Sequence, residues 1–446
     1  MCGRYSFQRS IKLLLGTIIL LLIASCKEKI IEQPFPADTN LWKSIRKERI
    51  QKLLPDAMKL AGVDAWIIIC RENNNDPLAK FVGGENAGGT AAFLFFRNDE
   101  GVRSVAISPM GEATSLKEVN LHDEVVVIER GSPIGGKILD IVSKYDPEKI
   151  AINTSDYGIA DGLSYTQKEY LSEALGSKYK HRLVSSFDLV MEWLSVKLPD
   201  EIKLMKRAAE ITAQIEVDAY KMVIPGKTKD SDVAKYIKGR MSEINVSDAW
   251  APDQNPSVNS GPDRGHSHST EKVIQPGDII QLDFGIMIYD TWCSDIQRFA
   301  YVLKPGETEP PKEIKKYFEF AKEGHRKVLE AMKPGVTGWA IDKIQREWME
   351  KNGSMSVMWG TGHPVGYWAH DAGPSLGGAA YSDKPVGNSA RLLREGQTFA
   401  YDGFYKWVRE DGTEKTISVE EMAVVTETGA EYMSKPQEEW ILIKSN

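Results

Sequence analysis

Cysteine is scarce, with four in 446 residues. Cys2 and Cys26 belong to the first 26 residues, and Cys70 and Cys293 stand alone in different parts of the chain. Two isolated thiols exclude a disulfide framework. There is no cluster of basic residues, and the formal charge is −7, so a nucleic-acid partner has no support. Long apolar runs are missing as well. The run Leu13 to Ile23 is too short to cross a bilayer. With 42% hydrophobic and 27% charged residues, the composition is that of an ordinary globular protein, which excludes a disordered chain and a polytopic membrane protein. The length leaves room for two or three domains.

The first 25 residues read as a signal peptide: Arg4, Arg9 and Lys12 make a positive start, the apolar run follows, and Ile23-Ala24-Ser25-Cys26 closes it with small residues. This layout resembles a bacterial lipobox, with cleavage before Cys26 and a lipid on its thiol. The alternative is a plain secretory signal cut nearby. Residues 26–40 are polar, carry Pro34 and Pro36, and suit a lipid-anchored tether in the cell envelope, on a periplasmic or surface-facing side of a bacterial membrane.

Residues 41–190 alternate helical and strand patterns, which predicts an α/β domain. A helix is expected over 41–63 with Leu41, Ile45, Ile50, Leu53, Met58 and Leu60 on its apolar side. DAWIIIC (64–70) reads as a buried strand, and AAFLFF (91–96) with VRSVAIS (102–108) as a hairpin around a polar turn. EVVVIE (124–129) and KIAINTS (149–155) add strands. Residues 191–446 form a second, α+β unit, opened by a helix at Pro199 with Leu204, Ala208, Ile211 and Ile215 inward. Within it, MVIPGKTKDSDVAKYIKGRM (222–241) and AMKPGVTGWAIDKIQREWME (331–350) share Pro-Gly-x-Thr followed by an amphipathic helix. Thr228 and Thr337 are candidate caps. The pattern suggests an internal duplication with the functional site between its halves.

The chemistry gathers around QPGDIIQLDFGIMIYDTWCSDIQR (275–298). Asp283 lies inside an otherwise apolar strand, and Asp295 is carried by the strand that pairs back. A carboxylate inside a buried strand is costly unless something neutralises it, and a second aspartate beside it points to a cation. The C-terminal half adds His363 in GTGH, His370, Asp402 after TFAY, and Glu420 and Glu421 after ISV. Oxygen ligands joined by a histidine are what hydrolytic divalent metals take. Glu421 should point to the opposite side of its strand from Glu420.

LDFG, CSDIQR, GTGH…AHD and VEEMAVVTETG together resemble the pita-bread metallopeptidases. With the α/β domain in front, the layout is similar to the Xaa-Pro aminopeptidase, prolidase and creatinase branch. The resemblance implies a pita-bread domain with an internal pseudo-twofold, preceded by a creatinase-like N-terminal domain. It implies Asp283, Asp295, His363, Asp402 and Glu420 as ligands of two divalent ions, manganese ahead of zinc or cobalt, with Asp295 and Glu420 bridging. His370 would contact the substrate, and His266 in SGPDRGHSHST would orient it or carry protons, with His268 as its rival. Asp402 would be the general base. The implied activity is hydrolysis of the bond before proline in a peptide with proline second, by a homodimeric metallo-aminopeptidase. The other reading is a degenerate scaffold serving as a cell-envelope binding protein or a non-peptidase hydrolase. Three departures stand out: Asp402-Gly403 where the family has Glu-Pro-Gly, one extra residue between Asp283 and Asp295, which suggests a bulge, and Trp359 and Ser418 in place of a histidine and an arginine. Trp359, Trp368 and Trp407 are candidate walls of a proline-sized pocket.

If the lipid is on Cys26, Cys26→Ser leaves the precursor unprocessed or frees a soluble protein. Incorporation of labelled fatty acid into the Cys26→Ser protein would contradict the assignment.

Overall fold

The computed structural model describes residues 35, 39–265 and 268–445. The signal segment, Cys26 and His266 lie outside the described residues, and no described helix is long and apolar enough to cross a membrane.

The first unit is built on a six-stranded mixed sheet in the order β4-β3-β2-β1-β5-β6. Its strands are β1 (Ala65–Arg71), β2 (Thr90–Asn98), β3 (Gly101–Pro109), β4 (Glu124–Ile128), β5 (Ile150–Ile152) and β6 (Leu183–Ser185). The expected hairpin is β2–β3, antiparallel. Central β1 is buried from Ala65 to Cys70, because successive side chains alternate between two covered faces. Ala65, Ile67 and Ile69 meet Ile138, Ile141, Leu171 and Leu175 of helices Gly135–Tyr145 and Tyr165–Tyr179. Trp66, Ile68 and Cys70 join the core of Leu54, Met58, Phe81 and Trp193.

The leading helix buries Ile45, Ile50 and Met58 of its expected face but departs from it at Leu53 and Leu60. Thr39–Glu48 passes through a π turn, Arg49–Leu53, before Leu54–Ala61. The wide turn adds a residue, so the later apolar face falls on Leu54, Ala57 and Met58, and Leu60 is 58% exposed. The same turn buries Arg49 completely.

The second unit has helices α1 (Pro199–Lys221), α2 (Asp230–Glu243), α3 (Lys312–Ala331) and α4 (Gly338–Lys351). Its large sheet runs β13-β14-β15-β12-β9-β8, with β16 on β15 and β17 on β12. These strands are β8 (Ser257–Ser260), β9 (Ile279–Phe284), β12 (Ile296–Val302), β13 (Gly362–Pro364), β14 (Thr398–Val408), β15 (Glu414–Val425), β16 (Ala430–Tyr432) and β17 (Ile441–Ile443). A small sheet pairs β7 (Ser247–Asp248), β10 (Ile286–Ile288) and β11 (Trp292–Cys293).

The duplication is visible in backbone contacts. Gly226 N donates to Ile274 O at 2.8 Å, and Gly335 N donates to Leu393 O at 2.9 Å. Bridges Lys229–Val273 and Thr337–Leu392 repeat the relation. Both glycines have positive φ, 76° and 88°, a backbone that glycine adopts without steric cost. Ten residues after Val273 comes Asp283, and ten after Leu392 comes Asp402, so each half delivers one aspartate from the same place. Capping is unequal. Thr337 Oγ1 accepts from Ala340 N at 3.3 Å, whereas Thr228 Oγ1 accepts from Ile224 N at 2.8 Å. At α2 the carboxylate of Asp232 takes over, accepting from Lys229 N at 3.0 Å. On α1, Met205 is buried where Leu204 was expected, and the inward face also carries Glu201 and Glu216.

No bulge lies between Asp283 and Asp295. Phe284 pairs with Ile296 and Met287 with Cys293, so two residues separate these pairs on either strand. The extra length sits in the turn, where Tyr289 and Asp290 take φ of 52° and 51°.

Candidate metal centre

Strand register assembles the site. Asp283 on β9 stands opposite Gln297 on β12, Gln297 opposite Glu420 on β15, and Glu420 opposite Asp402 on β14. Residues paired in this way share a face of the sheet, so three carboxylates and one amide line a single row. Asp295 precedes β12 beside them. All four acids are buried, at 3–7% exposure.

His363 enters from the next strand. Gly362 lies so close to β14 that a Cβ there would come 2.5 Å from Ala400 O, which explains the glycine in GTGH. His363 Nδ1 donates to Pro364 O at 3.2 Å, and this tautomer puts the Nε2 lone pair on the side of the acids, where it can ligate a metal. Nε2 faces Asp295 Oδ2 at 3.7 Å and Glu420 Oε1 at 3.8 Å. Those separations are too long for hydrogen bonds and suit ligands around one ion with bonds of about 2.0–2.2 Å. Ligand atoms of Asp295, His363 and Glu420 all lie within 4.8 Å of one another.

Asp402 is held by its backbone: its N donates to Thr361 O at 2.7 Å, and Thr361 is fixed through N and Oγ1 to Asp342 Oδ1 of α4, at 3.1 and 2.7 Å. Behind it, Gly403 abuts α3, where a Cβ would lie 2.2 Å from Ala321 O. Asp402 Oδ1 is buried without a hydrogen-bond partner. An orphaned carboxylate oxygen aimed among other carboxylates fits a cation. Burial pushes the Asp402 carboxyl well above the usual carboxylate range, and Glu420 and Asp283 push it further. Asp295 is raised in the same way by burial, Glu420, Asp283 and Asp402.

His370 is exposed, with its ring 4.2 Å from that of His363. His268 is exposed. Glu421 turns to the far side of β15, where it accepts from Arg298 Nη1 and from Gln437 N at 2.7 Å. Trp407 packs on Tyr317 and Tyr405 over α3, on the face away from Asp402, so it walls no pocket at the site. Trp359 packs on Phe404, and Trp368 lies against Phe81.

Gln297 was not anticipated. Its Nε2 donates to Glu420 Oε2 at 2.5 Å, and its Oε1 accepts from Gln281 Nε2 at 2.6 Å and Ser418 Oγ at 2.9 Å. Ser418 thus orients a glutamine that orients Glu420. The available signal was positional: Gln297 lies two residues past Asp295 and so points to the same side of the chain.

Residues 203–427 match the profile of metallopeptidase family M24. Among curated relatives, the Xaa-Pro dipeptidase of Pyrococcus horikoshii is 26% identical over 336 residues, 74% of this chain and 86% of that one. That of Pyrococcus furiosus is 26% identical over 295 residues, 65% and 77%. Among solved structures, an Xaa-Pro dipeptidase from Bacillus anthracis superposes with a TM-score of 0.64 at 21% identity, covering 90% of this chain and all of its own. An X-Pro aminopeptidase from Thermotoga maritima gives 0.63 at 22% identity, covering 87% and all of its own. The architecture is therefore the pita-bread fold behind an α/β N-terminal unit.

The raised carboxyls carry a pH signature. A carboxyl whose folded pKa exceeds its unfolded value contributes stability at low pH and loses it as pH rises through the folded pKa. Chelator-treated protein should therefore melt at lower temperature at about pH 8 than at about pH 5.5, and added Mn²⁺ should raise Tm more at the higher pH. An equal or larger Mn²⁺ effect at the lower pH would contradict this electrostatic account.

Proposed function

Since the chain belongs to metallopeptidase family M24, we propose that it hydrolyses the peptide bond before proline in peptides with proline in the second position. The observation that carries this is the meeting of Asp295, His363 and Glu420 beside Asp283 and Asp402. The activity of the curated Pyrococcus relatives, Xaa-Pro dipeptidase, supports the substrate class.

Asp283, Asp295, His363, Asp402 and Glu420 would hold two divalent ions, manganese first among the candidates. Glu420, which faces both His363 and Asp402, and Asp295 are the residues suited to be shared. When bound, such ions polarise a carbonyl and lower the pKa of water. Gln297 keeps Glu420 in one rotamer, so its second oxygen stays turned towards His363. Asp402 takes the proton of the attacking water at Oδ1 and returns it to the leaving imino nitrogen. His370, exposed beside His363, faces the incoming peptide and donates a hydrogen bond to the developing oxyanion. Residues 1–26 support a further reading, that a lipid on Cys26 holds the enzyme at a membrane.

The test is hydrolysis of an Xaa-Pro dipeptide and of a longer Xaa-Pro peptide with manganese added. The expected result is cleavage after the first residue of at least one of them, abolished by chelation, with Asp402→Glu at least about tenfold slower because the added methylene crowds the site. No cleavage of either peptide by metal-loaded protein, or a many-fold gain in Asp402→Glu, would overturn the reading.

A further inference from the structure

The segment from Val365 to Ala372 carries His370 and is gripped from behind by two buried ion pairs that hydrolysis does not use. Lys197 Nζ lies 3.0 Å from Asp371 Oδ2, with side chains 1% and 0% exposed. Asp371 also accepts from Tyr367 N at 2.9 Å and Ala372 N at 2.7 Å. Gly366 closes over the pair: a Cβ there would come 2.1 Å from Asp371 Oδ2 and 2.3 Å from Lys197 Cε.

The second pair joins Arg49 of the N-terminal unit to Glu201 of α1. Arg49, buried by the π turn, lies 2.7 Å from Glu201 Oε2, both side chains fully buried. Glu201 Oε1 accepts from the Tyr367 hydroxyl and from Trp292 Nε1 at 3.2 Å. Arg49 further donates to Val196 O at 2.9 Å and Trp193 O at 2.5 Å. The Tyr367 ring meets Phe81 edge-on at 4.8 Å.

Burying four ions is no efficient route to stability, since desolvation offsets most of the attraction. What such a network does well is fix geometry. Tyr367 and Asp371 are pinned at either end of Trp368, Ala369 and His370, and three residues between two fixed points have little freedom. We propose that Lys197 and Arg49 are positioning residues for His370, so that the N-terminal unit, through Arg49, sets how the substrate-facing histidine stands against His363. The proposal deepens the functional reading above and rests on it for the role of His370.

Two measurements on the full chain test it. The first is a double-mutant cycle on kcat/KM for an Xaa-Pro peptide. Lys197→Met should lower kcat/KM about tenfold in the parent and less than about twofold in a His370→Ala background. Equal losses in both backgrounds would overturn the proposal. The second needs no substrate: the ring Cε1–H resonance of His370 in histidine-labelled protein, assigned with His370→Ala. It should move in Lys197→Met and in Tyr367→Phe, which removes only the hydroxyl bound to Glu201, while that of exposed His268 stays. An unmoved His370 signal in Tyr367→Phe would overturn the proposal even if Lys197→Met fails to fold. Absence of Xaa-Pro hydrolysis in the parent would sink the functional reading alone, leaving the resonance to decide the positioning.

Discussion

Like charge held at close range inside the protein is the constraint on which the rest of the structure depends. Asp283, Asp295, Asp402 and Glu420 are each at most 7% exposed. At an effective dielectric of about 20, two such charges at about 4 Å repel by about 4 kcal/mol. The chain answers this with rigidity. Four neighbouring strands fix the row, α4 holds Thr361 and through it the Asp402 amide, and Gly403 lets α3 brace β14 from behind. A bound cation relieves the remaining repulsion at neutral pH without giving up the arrangement, as protonation does at lower pH.

The duplicated architecture explains how so many acids reach one place. Each half sends an aspartate along the strand that begins just after the segment bridged to its Pro-Gly-x-Thr turn, and the halves meet where β12 and β15 pair, at Gln297 and Glu420. The neutral Gln297 sits at that seam and separates Asp283 from Glu420. Behind the sheet, Arg298 engages Glu421 and lies 3.9 Å from Glu216. Glu216 is fully buried with neither oxygen hydrogen-bonded, and burial raises its pKa well above the ordinary range despite Arg298.

Much of this was legible in the sequence because it depended on local pattern. The apolar run of β1, the β2–β3 hairpin, the Pro-Gly-x-Thr repeat and the acids set in apolar strands all follow from periodicity and burial cost. What escaped depended on register and on the third dimension. The π turn at Arg49 shifts a helical face by one residue, and nothing in the composition of that helix announces it. Residues absorbed by the turn at Tyr289 and Asp290 look, in sequence, the same as a bulge. Lys197 carries no local signal, and Gln297 only its spacing from Asp295, until strand pairing and the Tyr367 loop reveal what they touch. Trp407 was misplaced for the same reason, since strand alternation assigns its face only once the register of β14 is known.

The most direct test of the central claim is the position of the metal itself. Anomalous diffraction from crystals grown with Mn²⁺ locates the ion independently of any assay. The account predicts a peak at about 2.0–2.3 Å from Asp295, His363 Nε2 and Glu420. Manganese bound elsewhere, or no peak there with the three side chains in place, would contradict it.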